Sequence, residues 1–155
     1  MTYSETTVAD TIKTHFVPVQ INTQEEAGHA MVQCFHQVWT PDLRILSSQG
    51  AELYRWNGYL PPFEFLPQLL VARAYACLAL QDPSGAAEGY RQVLARFPTS
   101  AVAPEAQYFL AVSLYKYSHE ASDLLDNWHQ LQTRYPDSLW RLKQSFIEPA
   151  TGGRS

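Results

Sequence analysis

His36–Pro62, HQVWTPDLRILSSQGAELYRWNGYLPP, is the stretch from which the rest of the 155-residue chain is read. Leu43 and Ile45 alternate with Arg44 and Leu46, the period-two pattern of a strand buried on at least one face. A strand is expected over about Asp42–Ser47 and a second over about Glu52–Gly58. Between them Gly50 follows Gln49 and supplies the positive φ of a two-residue hairpin. Thr40-Pro41 runs straight into the first strand, although proline lacks the N–H that a ladder uses. A cis peptide, favoured only before proline, accommodates it there.

Working back towards the N-terminus, Thr23-Gln24-Glu25-Glu26 has the form of a capping box, with the Thr23 hydroxyl on the N3 amide and Glu26 reaching back. It opens a helix expected to run to about His36, with Ala27, Ala30, Met31, Cys34 and Phe35 as its apolar face. Before it, Phe16–Ile21 reads as a buried strand and Thr6–Lys13 as a short helix.

Working forward, Leu60-Pro61-Pro62-Phe63 ends the second strand and starts a helix, since proline suits the first helical turn. Pro67 predicts either a kink or a short turn over Pro62–Leu66 before a longer helix at Gln68–Gln81. Asp82-Pro83 caps the next helix, Pro83–Phe97. Two more follow, from Pro104 to about Ser118 and from Glu120 or Ala121 to about Tyr135. Arg96-Phe97-Pro98-Thr99-Ser100 recurs as Arg134-Tyr135-Pro136-Asp137-Ser138, with the prolines 38 residues apart. Ser138–Ile147 reads as a closing helix and 149–155 as a disordered tail.

Two resemblances rest on these residues. FVPVQIN, a helix, VWTPDLRIL and a hairpin resemble the second half of a thioredoxin-like domain, with Trp39-Thr40-Pro41 in the place of that family's cis-proline loop. The part from Leu69 onward resembles tetratricopeptide repeats, whose period is about 34 residues. That second resemblance puts Ala74, Ala86 and Ala111 in small-residue slots and Tyr90 and Trp128 in aromatic ones, with departures at Arg73 and Leu124. The fold class implied is α+β and mostly helical: a truncated thioredoxin-like sheet of about three strands, then tetratricopeptide-like helical hairpins. The sheet order expected is Phe16–Ile21, Leu43–Leu46, Leu53–Trp56, the first pair parallel. The parts would be 1–66, 67–148 and the tail.

The chemistry of a site is scarce. Thioredoxin-like oxidoreductases place a Cys-x-x-Cys at a helix N-terminus, where the thiol pKa is lowered. The two cysteines here, Cys34 and Cys77, are far apart, sit in apolar helical patterns and read as buried structural thiols. The five histidines (His15, His29, His36, His119 and His129) have no zinc spacing, so no metal and no cofactor are expected. Glu25 and Glu26 suit a helix cap, and Asp123 and Asp126 a solvated face. A net charge of −4 with singly scattered arginines argues against a nucleic-acid partner. No apolar run approaches the ~20 residues of a membrane span, and MTYSETTVAD has no signal-peptide pattern. No membrane partner and a cytoplasmic location are therefore expected.

The function expected is a non-catalytic protein-interaction or scaffold module. The alternative is a fragment of a thiol-disulfide oxidoreductase whose Cys-x-x-Cys lies upstream of this chain. The tetratricopeptide resemblance implies a peptide-binding face from the first helix of each hairpin: Gln68, Val71, Tyr75 and Leu78, with Glu105, Tyr108, Val112 and Tyr115. The partner expected is a protein or peptide, with homo-oligomerisation through an exposed strand edge as a further expectation.

Overall fold

The computed structural model describes residues 2–147, and among these proline, glycine and the apolar stripes mark out seven α-helices and two strands, with two short 3-10 turns. Two units are present, Met1–Leu66 and Pro67–Ser155. The fold class is α+β and mostly helical, with one small antiparallel sheet. The expected tail, 149–155, and residue 148 lie outside the described residues.

The first unit opens with a 3-10 turn at Thr2–Ser4 and α1 at Thr6–His15. The Glu5 carboxylate caps α1 by accepting from Val8 N, and this hydrogen bond holds its pKa below the usual carboxylate range. α2 spans Glu26–Cys34, β1 Asp42–Leu46 and β2 Glu52–Asn57. The strands pair antiparallel, Leu43 opposite Trp56 and Ile45 opposite Tyr54, with an irregularity between Ile45 and Leu46. Gly50, at φ +84°, donates to Ser47 O, while Ser47 N donates to Ala51 O. The corner is thus a three-residue loop with glycine in the left-handed position, one residue longer than expected.

Three further expectations fail in this unit. The sheet has two strands, not three: Phe16–Ile21 is not a strand, and Val17 and Val19 are 91% and 78% exposed. Pro18 removes one ladder donor from it, and no neighbouring strand lies alongside. The capping box is not formed either. Asn22 takes the local amide, its Oδ1 accepting from Gln24 N at 3.1 Å, and its Nδ2 donates to Glu25 Oε1 at 2.9 Å. The helix accordingly starts at Glu26, and its Glu25 cap makes no side-chain hydrogen bond. Finally, the inward stripe of α2 is Gly28, Met31, Val32 and Phe35, at helical spacing, while Ala27, Ala30 and Cys34 are exposed. The glycine disguised that stripe, and the apparent face was one residue out of step.

The second unit is built from α4 (Pro83–Arg96), α5 (Ala103–Ser118), α6 (Ala121–Arg134), the short α7 (Leu139–Lys143) and most of α3 (Pro62–Ala79). α3 runs as one helix through Pro67, so the short turn expected at Pro62–Leu66 is absent. An internal proline costs about 3 kcal/mol. Eight consecutive residues, Phe65–Ala72, are buried, and each large apolar side chain among them contributes about 1.5–3 kcal/mol. Burial wins.

Ala74, Ala86, Tyr90 and Ala111 are buried, and Gly89 of α4 lies against Ala74 of α3. The corners after α4 and α6 repeat in backbone as well as sequence. Phe97 has φ −134°, ψ 52° and Tyr135 φ −135°, ψ 56°. The Arg96 and Arg134 guanidinium groups lie 5.1 and 5.6 Å from those ring centroids. Tyr135 Oη donates to Pro98 O at 2.9 Å and ties the two corners together. The closing helix is shorter than expected: α7 gives way at Gln144 to a 3-10 turn at Ser145–Ile147. Gln144, the C-cap of α7, is buried and its side chain donates to Trp128 O at 2.9 Å.

Candidate functional site

Tyr75, Leu78, Ala79 and Gln81 from the end of α3 face Phe109, Val112 and Lys116 from α5 across a cavity of about 280 Å³. Helical spacing explains the grouping. On α5, residues 109, 112 and 116 form one i, i+3, i+7 stripe. On α3, residues 75, 78 and 79 form another, and Gln81 follows with φ +66° beyond the last helical turn.

The floor is aromatic and held in place. Phe109 meets Tyr75 edge-on at 5.1 Å, stacks beside Tyr90 at 6.1 Å, and meets Tyr108 and Trp140 at 5.3 Å each. Tyr108 in turn stacks on Trp128 at 5.4 Å. Lys116 brings a cation to a rim of otherwise uncharged residues. Cys77, half-buried on α3, has its thiol pKa pushed up, chiefly by burial.

The expected peptide-binding face is divided by this geometry. Tyr75, Leu78 and Val112 line the cavity. Val71 and Gln68 are buried, Tyr108 belongs to the aromatic stack, and Glu105 and Tyr115 lie outside the cavity lining. Phe109 and Lys116 were missed, yet the signal was present: their stripe on α5 shares Val112 with the expected one and runs beside it.

In the first unit, the Thr40–Pro41 peptide is cis, and Pro41 O accepts from Gly58 N at 2.9 Å. Trp39 is exposed and its carbonyl accepts from Gln37 Nε2 at 3.2 Å. The best-connected polar side chain beside this loop is Arg44, in sequence one of the singly scattered arginines. It pairs with Asp42 at 2.7 Å and with Glu52, donates to Phe35 O at 2.9 Å, and lies 4.7 Å from the Phe35 ring centroid. The Asp42 hydrogen bond leads the causes that raise its pKa. The cluster ties Phe35, the C-cap of α2, to β1 and β2.

Among the described residues no group of three His, Cys, Asp or Glu side chains is placed to hold a metal ion. No described helix is long and apolar enough to cross a membrane. No protein-family model, curated protein or solved structure matches this chain.

Proposed function

We propose that this chain is a non-catalytic protein-interaction module, with tetratricopeptide-like hairpins α3–α4 and α5–α6, and that the α3–α5 groove takes a short peptide. The repeated corners and the close crossing at Ala74 and Gly89 support the hairpin reading. The observation that carries the function is the cavity: apolar, preformed, and with one cation at its edge.

At about 280 Å³ the cavity lies at the lower end of the range for ligand pockets, about 300–1,000 Å³, and has room for one or two side chains of a peptide. The Phe109 ring is already packed on several sides, so binding costs little side-chain ordering. A large apolar residue fits between Tyr75, Leu78 and Val112, and an acidic neighbour fits Lys116.

Selection of random displayed peptides on the full chain tests this. The expected consensus is a large apolar residue next to Asp or Glu. Val112→Arg should abolish enrichment, and Lys116→Glu should remove or invert the acidic preference. No enrichment, or a consensus indifferent to both substitutions, overturns the reading.

A further inference from the structure

The unit Met1–Leu66 contains a strand-like segment and, on β1, one of the two open edges of its sheet, and it uses neither. Val17, Val19 and Ile21 are exposed, and no backbone hydrogen bond reaches Val17–Ile21 among the described residues. β-Branched residues favour strands, and Phe16 is already extended, at φ −137°, ψ 158°. The edge belongs to β1. Gly58 N donates to Pro41 O, and Leu43 lies opposite Trp56. Antiparallel alternation then aims the backbone groups of Leu43 and Ile45 at β2 and those of Asp42 and Arg44 away from it. Asp42 and Arg44 make no other backbone hydrogen bond among the described residues. A two-stranded sheet is marginal alone, and such an edge is a template for another strand.

We propose that Phe16–Ile21 of one copy of this chain adds as a third strand to the β1 edge of a second copy, and reciprocally, forming a two-fold dimer. A second copy is the favoured occupant because each chain carries both a donor segment and an acceptor edge on β1, so one reciprocal exchange satisfies both, while the outer edge of β2 takes no part. Pro18 fixes the pairing. Lacking an N–H, it must face away from the acceptor, which turns the N–H and C=O groups of Val17, Val19 and Ile21 towards it. The same three side chains then share one face and leave water together. Pro18 also leaves a missing donor on the new outer edge, which disfavours a further strand on that side, and the reciprocal exchange itself closes at two copies. This inference concerns the first unit alone and does not depend on the α3–α5 groove.

Light scattering after size exclusion of the full chain tests it, together with two proline variants. Neither Val19 nor Gln20 makes a backbone hydrogen bond within one copy, so neither substitution threatens the monomer's fold, which circular dichroism checks. The wild type should reach twice 17.6 kDa as concentration rises. Val19→Pro deletes a donor that faces the partner and should weaken the dimer roughly tenfold or more. Gln20→Pro deletes a donor that faces away and should leave it unchanged. Slow amide exchange is expected at Val17, Val19 and Ile21 but not at Gln20. A monomer at every concentration, a dimer indifferent to Val19→Pro, or equal effects of the two prolines overturns the proposal.

Discussion

Arg44 and the two cysteines show what single side chains contribute. Arg44 satisfies two carboxylates, one carbonyl and one ring face, so a residue that looked like dispersed surface charge is a structural hub. Nothing local in the sequence marks it: its partners come from α2, its own strand and β2, and only folding brings them together. Cys34 was legible as helical but not as exposed, because Gly28 hid the true stripe of α2. The two thiols therefore diverge in reactivity. With a chromogenic disulfide reagent near neutral pH, Cys34 should react first and Cys77 more slowly. Burial raises the Cys77 pKa, so its thiolate fraction is small there and its rate should climb as the pH rises towards that raised value. Cys34→Ser should remove the fast phase alone; a single phase of two equivalent thiols contradicts this.

At the scale of elements, the helices of the second unit were the legible part. Their caps, prolines and repeated Arg-(Phe/Tyr)-Pro-x-Ser corners are local signals, and the observed bounds, Pro83–Arg96, Ala103–Ser118 and Ala121–Arg134, fall within one or two residues of those expected. The elements whose form depends on distant neighbours were not legible. Phe16–Ile21 has the composition of a strand but pairs with no strand among the described residues, and the Gln144 cap of α7 is anchored on Trp128, distant in sequence. The α3–α4 crossing gives a quantitative check. A Cβ on Gly89 would sit 2.9 Å from the Ala74 Cβ, so the helices must shift to admit it. Gly89→Ala regains about 1 kcal/mol of helix propensity, which offsets much of that shift. Gly89→Val adds bulk with no such compensation and should cost about 1–3 kcal/mol. Denaturant unfolding that finds Gly89→Val no less stable than Gly89→Ala would show that the helices are looser than described.

For the whole molecule, the distribution of the core separates the two units. Among the described residues Val8 is the one buried hydrophobic residue before Phe65, while the second unit has buried hydrophobic residues in each helix from α3 through α6. The first unit relies instead on an aromatic cluster of Tyr3, Trp56 and Phe65 and on the Arg44 pairs, and it leaves Val17 and Val19 in water. The proposed strand exchange belongs to the first unit and the proposed peptide groove to the second. The groove was half-legible. Helical spacing and the tetratricopeptide resemblance pointed to Tyr75, Leu78 and Val112, but the rotation of α5 that brings Phe109 and Lys116 beside them is a packing outcome. The central claim, that this groove binds peptide, is tested most directly by titrating ¹⁵N-labelled full chain with a selected apolar–acidic peptide. Saturable shifts should cluster at Tyr75, Leu78, Phe109, Val112 and Lys116 and vanish in Val112→Arg. Shifts confined to other parts of the chain, or persisting unchanged in that variant, would contradict it.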